Sequence, residues 1–198
     1  MSAVQIQGNA SGTGTLTVAA PNTNTNRTLT LPDGTGTFSV AGVNSNIVSG
    51  TSQASTSGTS IDFTGIPSWV KRITVILNGV STNGSSNLQV QLGSGSTTTT
   101  GYSSGAWTAN TNTTGLFTSG LVLTAVNAST TFYYGNIIIA SVGSNTWIES
   151  HSLGAPVGGY HCIGGGSITL SGVLDRVRIT TVNGTDTFDA GSINILYE

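Results

Sequence analysis

Apolar and polar residues alternate with a period of two along most of this chain. Ile73, Val75 and Leu77 lie on one face of the run from Arg72 through Thr74 to Leu77, Leu88, Val90 and Leu92 alternate with Gln89 and Gln91, and Val177 and Ile179 with Arg176 and Arg178. In an extended strand such residues point to opposite faces, so each run predicts one buried and one outward face. The runs are rich in Thr, Val, Ile, Tyr and Phe and are separated by Gly, Asn and Ser, the composition of strands and turns. Asn78-Gly79 and Asn83-Gly84 supply turns because both residue types tolerate left-handed backbone angles. No window repeats apolar residues at helical spacing over three turns. Strands are predicted at 61–63, 72–77, 87–92, 116–126, 131–141, 146–151, 160–163, 167–171, 175–181 and 192–197. That spacing predicts an all-β fold, with residues 58–198 forming a jelly-roll-like antiparallel β-sandwich.

Residues 1–57 follow a different pattern. Phe38 is their only aromatic, and they hold no long apolar run. A short unit, Gly12-Thr13-Gly14-Thr15-Leu16-Thr17-Val18 closing at Pro21, is echoed by Thr28-Leu29-Thr30-Leu31-Pro32. Each is a brief alternating strand ended by a proline, which cannot continue a ladder. Asp33-Gly34 is a turn signal. Two such strands cannot build a core alone. The segment therefore reads as an extended N-terminal arm that orders on contact, with Leu16, Val18, Leu29 and Leu31 as its partner-binding side chains. Residues 44–59, dominated by Ser, Thr, Gly and Asn, read as a linker.

Composition narrows the chemistry. Apolar residues make up 36% of the chain and charged residues 6%, with 28 glycines. The surface must therefore be built mostly from neutral hydroxyl and amide groups. Net charge is −2, and the basic residues stand as isolated pairs, Lys71-Arg72 and Arg176/Arg178. Phosphate binding neutralises several charges at once, so no nucleic-acid partner is expected. The apolar runs are too short to cross a bilayer, and the first residues have neither the basic nor the apolar region of a secretion signal. No membrane partner is expected. The single Cys162 excludes an intrachain disulfide framework and suits a reducing compartment.

Candidate reactive groups do not converge in the sequence. His161 and Cys162 are adjacent, so on a strand they face opposite ways and cannot form a thiolate–imidazole pair; a buried thiol is the expected state. His151, His161, Cys162 and Asp189 lack metal-motif spacing. Asp175, Asp186 and Asp189 are the nearest approach to the paired carboxylates of a glycosidase. Gly164–Gly166 lacks the Lys and the following helix of a phosphate loop and reads as a hairpin tip or a tight crossing near an axis. No catalytic residue, cofactor or metal is expected. Trp107, Trp147, Tyr102 and Tyr160 lie near turn-rich segments. They either fill the sandwich or a subunit interface, or stack on sugar, with Trp107 and Tyr102 as the glycan-contact candidates.

Gly12–Pro21 and Arg27-Thr28-Leu29-Thr30-Leu31-Pro32-Asp33-Gly34-Thr35-Gly36-Thr37 resemble the Thr/Leu/Pro segments of tailed-bacteriophage fibre and virion surface proteins. Gly65-Ile66-Pro67-Ser68-Trp69-Val70-Lys71-Arg72-Ile73-Thr74-Val75, continuing through Asn78–Ser81, is similar to a block of phage and prophage C-terminal domains, as is the ending Gly191–Glu198. The resemblance implies a homotrimeric, non-enzymatic virion surface protein assembled in the host bacterial cytoplasm. A short arm before a compact β-domain resembles the layout of capsid decoration (cement) proteins, with the major capsid protein as partner. The alternative it implies is a short tail fibre or receptor-binding tip contacting host glycan.

Overall fold

A computed structural model describes residues 24, 47–109, 115–125 and 127–198. The regular elements among them are strands: β1 (Val48–Ser49), β2 (Gln53–Ala54), β3 (Ser60–Thr64), β4 (Arg72–Thr82), β5 (Leu88–Ser94), β6 (Ser96–Thr97), β7 (Ser103–Thr108), β8 (Leu121–Val122), β9 (Tyr133–Gly143), β10 (Thr146–Ala155), β11 (Tyr160–Thr169), β12 (Arg176–Thr181) and β13 (Phe188–Tyr197). They form two sheets. An eight-stranded sheet runs β1-β13-β4-β9-β10-β11-β7, with β2 also on β13; a five-stranded sheet runs β3-β12-β5-β6, with β8 on β5. Every pairing is antiparallel.

The predicted alternation is what brings the sheets together. Ile73, Val75, Leu77, Ile137, Ile139, Leu153 and Ile193 from the large sheet share one core with Ile61, Phe63, Leu88, Val90, Val177 and Ile179 from the small one. The chain is thus an all-β antiparallel sandwich. Strands β9, β10 and β11 run as a meander of consecutive hairpins within the large sheet. Ser144 and Asn145 close the first hairpin at φ 49° and 58°. Two consecutive positive φ values are the type I′ geometry, whose twist matches that of the flanking strands.

Several details depart from the sequence reading. The linker expected at 44–59 is, over its described residues, laid along the sandwich edge. Val48 pairs with Tyr197 and Gln53 with Ile193, Gly50 N donates to Ile195 O, and Ser55 is fully buried with its hydroxyl donating to Ala190 O at 2.8 Å. Small hydroxyl residues fit this role because they lie flat and satisfy exposed carbonyls. The last ten or so residues of the predicted arm therefore belong to the sandwich.

Gly164–Gly166 is not a hairpin tip. These glycines sit in the middle of β11, paired on one side with β10 and on the other with β7. The strand expected at 116–126 shrinks to β8 and a bridge between Phe117 and Ser104. The two strands expected at 160–163 and 167–171 are one. Gln89 and Gln91, expected outward, are buried because residues 119–122 lie over them. Ser119 Oγ donates to Gln89 Oε1 at 3.0 Å, and Gln91 Nε2 donates to Ser119 O at 2.8 Å.

Candidate functional site

Leu16, Val18, Leu29 and Leu31, the expected partner-binding residues, lie outside the described residues. Of the glycan-contact candidates, Tyr102 is a core residue. Its hydroxyl accepts from Leu92 N at 2.8 Å and donates to Thr98 O at 2.9 Å, and burial pushes its pKa up to about 12. A ring 3% exposed and held this way offers no face to a sugar, so the Tyr102 assignment is corrected to a structural one. The turn-rich neighbourhood misled because Tyr102 closes a loop back onto β5, and that closure needs its ring inside. Trp107 is different. It points outward from β7 opposite Ile163, with 37% of its surface exposed. Trp147 is buried.

His161 and Cys162 separate as strand geometry requires. His161 is exposed, with Nε2 3.2 Å from Ser152 Oγ. Cys162 is fully buried, with its sulfur 3.3 Å from Thr108 Oγ1. Burial pushes the thiol pKa up, against a smaller opposing effect of the Thr108 hydrogen bond. A thiol held protonated and out of solvent is a packing group, not a nucleophile.

Asp62, Asp175 and Asp186 are each held in contacts within the fold, while Asp189 is exposed. Asp62 takes Arg178 in a two-point pair at 2.7 and 3.2 Å across β3 and β12. Asp175 takes Arg176 likewise, and that hydrogen bond holds its carboxyl below the usual range. Asp186 ties two turns together, accepting from Ser86 N at 2.9 Å and from Asn183 Nδ2 at 2.6 Å. The whole of β12 lies between Asp175 and Asp186, so these two aspartates do not face each other across a cleft. Among the described residues no three His, Cys, Asp or Glu side chains come together.

One constellation was missed in the sequence. Glu149 and His151 are two apart on β10, so both point into the sandwich, and Glu149 Oε1 lies 2.7 Å from His151 Nδ1. Neither side chain has any exposed surface. Glu149 Oε2 and His151 Nε2 have no hydrogen-bond partner among the described residues. The glycines of β11 make the room: a Cβ on Gly164 would lie 2.5 Å from His151 Cε1 and 2.5 Å from Gly105 O. The signal was available, since Glu-Ser-His on an alternating strand puts both titratable groups on the face of Trp147 and Leu153.

Two depressions among the described residues are open grooves. One, of about 500 Å³, is lined by Ser49, Gln53, Asp62, Thr64 and Tyr197 beside the β3 edge. A second, of about 510 Å³, lies over Gly105 and Gly165 with Leu116 on its rim. Neither gathers an acid, a base and a nucleophile.

The described residues define a class by fold alone: an all-β antiparallel sandwich. Comparison with family models, with curated proteins and with solved structures returns no match to this chain.

Proposed function

We propose that this chain is a non-enzymatic structural protein of a tailed-bacteriophage virion, a homotrimeric capsid decoration protein that stands on the head surface after assembly in the host cytoplasm. The observation that supports this most is the way the chain enters the sandwich. The first described strand, β1, is an edge strand on β13, and the Thr/Leu/Pro repeats of residues 1–46 precede it. The segment left to grip a foreign surface is therefore 1–46 rather than 1–57. Leu16, Val18, Leu29 and Leu31 would lie on strands or edges of the major capsid protein. Three such arms on one trimer act together through effective concentration, so each one can be weak. Attachment by apolar and neutral contacts would be insensitive to salt.

The test replaces Leu16, Val18, Leu29 and Leu31 by Ser in the full chain and mixes the protein with undecorated heads. Bound protein should fall at least tenfold for the variant, with folding unchanged by circular dichroism. Undiminished binding refutes the arm as anchor. A gold label on the wild-type chain should land on heads; label on tails refutes decoration.

Exposed Trp107 favours a second reading, a short tail fibre or receptor-binding tip in which this ring stacks on host glycan. Binding of host cells that Trp107→Ala abolishes would establish that reading over the first.

A further inference from the structure

The outward face of the large sheet breaks the usual alternation. On β9, β10, β11 and β7 the buried inward positions are mostly apolar, with Glu149, His151, Ser104 and Thr108 also among them, and several outward positions are apolar too. Tyr134, Ile138, Ile148, Ile163 and Trp107 are all exposed at outward positions. The outward positions of these four strands hold no Asp, Glu, Lys or Arg; the titratable side chains among them are His161 and Tyr134. The registers place the residues in rows. Ile163 has Ser152 on one side and Trp107 on the other, and the next row reads Ile138, Ser150, Gly165, Gly105. A ridge of Ile163 and Trp107 thus runs beside a trough floored by Ser150, Gly165 and Gly105. The trough opens into the depression of about 510 Å³ rimmed by Leu116, which is 77% exposed.

We infer that this face is the self-association surface of the chain, packed against further copies of itself about a rotation axis. The inference rests on the trimeric reading above and specifies which surface makes the trimer. Three features select a second copy as the occupant. Near a rotation axis each side chain meets its own image, so a fixed charge would meet a like charge; this face carries none. Ridge and trough lie side by side on one face, so the ridge of one copy can enter the trough of the next. That is a heterologous contact, which forms a ring when the rotation between copies closes. The extent is substantial. The four adjacent strands β9, β10, β11 and β7, at a spacing of about 4.8 Å and a rise of about 3.3 Å per residue, offer roughly 600 Å². Stable interfaces bury about 800 Å² per partner, so this face can supply the greater part of one.

The experiment is sedimentation velocity on the full chain over a wide concentration range. Wild type should sediment as a trimer. The double variant Ile148→Lys with Ile163→Lys should weaken association about a hundredfold or more and run as a monomer, with its melting profile and far-ultraviolet circular dichroism retained. Ser150→Lys, which touches only the trough, should do the same and covers the case in which the double variant misfolds. Val157→Lys, exposed in the β10–β11 hairpin away from the face, should leave the mass unchanged. A wild-type trimer that survives both Ile148→Lys/Ile163→Lys and Ser150→Lys overturns this inference while leaving the trimeric reading standing. A wild-type monomer at every concentration overturns both. A trimer indifferent to these lysines whose glycan binding they abolish assigns the face to a sugar instead.

Discussion

Three substitutions at the Glu149–His151 pair separate a pair that stabilises the sandwich from one the sandwich merely tolerates. Both side chains are wholly buried and touch at 2.7 Å, and each keeps one heteroatom without a partner among the described residues. His151→Leu strands a carboxylate in the interior, which costs about 3–5 kcal/mol. Glu149→Met leaves an imidazole with neither nitrogen bonded, at about 1–3 kcal/mol for an unsatisfied buried group. If the two effects added, the double variant would be destabilised by roughly 4–8 kcal/mol. The structure argues otherwise. Ile139 stands opposite Glu149 and Ile137 opposite His151 on β9, so the surroundings accept apolar side chains. Replacing a buried pair by apolar groups of similar volume is typically neutral or stabilising by up to about 4 kcal/mol. The double variant should therefore be at least as stable as wild type and far more stable than either single variant. Urea unfolding followed by tryptophan fluorescence measures this, with buried Trp147 two residues from Glu149 on the same face as a local probe. A double variant as unstable as the sum of its parents would show that the pair holds the sandwich together, and the reasoning would be wrong.

Gly164→Ala should lower stability by about 1–3 kcal/mol, since its Cβ meets the Gly105 carbonyl at 2.5 Å and overpacking against backbone cannot relax cheaply. The melting temperature reads this out as a drop of several degrees, and an unchanged value would mean β11 is not held between β10 and β7 there. Tyr102→Phe should cost about 1–3 kcal/mol, because Leu92 N loses its acceptor and Thr98 O its donor in the interior. In alkali the sign for Tyr102 follows from its raised pKa. The folded state keeps the proton that the unfolded state releases near pH 10, so the stabilisation is complete below pH 10 and is lost between there and about 12. Stability should fall by about 1.4 kcal/mol per pH unit from this group across that window, and Tyr102→Phe should remove that share of the slope. Absorbance at 295 nm should show Tyr102 ionising only as the chain unfolds, and titration of a full complement of tyrosines near pH 10 in the folded protein would contradict the burial.

The strands that alternate cleanly were legible. Ile73–Leu77, Leu88–Leu92 and Val177–Ile179 lie in the core as their period requires, with Arg176 and Arg178 on the other face of β12. What was not legible depends on partners distant in sequence. Ser103–Thr108 forms β7 although Ser-Ser-Gly-Ala carries no strand signal, because Gly164–Gly166 of β11 offers it a ladder and small residues let the two backbones approach. Residues 48–54 look like linker because their composition is flexible when alone; β13 supplies the edge that orders them. Gln89 and Gln91 alternate correctly, yet a loop thirty residues away covers them. The outward apolar residues of β9–β11 were hidden for the opposite reason. Ile137-Ile138-Ile139 reads as one apolar run, and only the register divides it into two core residues and one exposed to solvent.

Charge is distributed unevenly over this sandwich, and the unevenness constrains how it can meet other molecules. Between Arg72 and Glu149 the sequence has no Asp, Glu, Lys or Arg. The small sheet carries Asp62, Arg176 and Arg178 at its surface. Covering that side would strip water from ions that pair only partly with each other, and the desolvation cost opposes it. The outward face of β9, β10, β11 and β7 asks for no such desolvation. Edge-to-edge pairing is discouraged as well. The β1, β2, β6 and β8 strands are two residues long, too short to template a partner. The β3 edge carries Asp62, whose carbonyl already accepts from Gln53 Nε2 at 2.7 Å. The β7 edge is bridged by Phe117. With edges blocked and one face ionic, the neutral face is the surface that another molecule can cover at least cost.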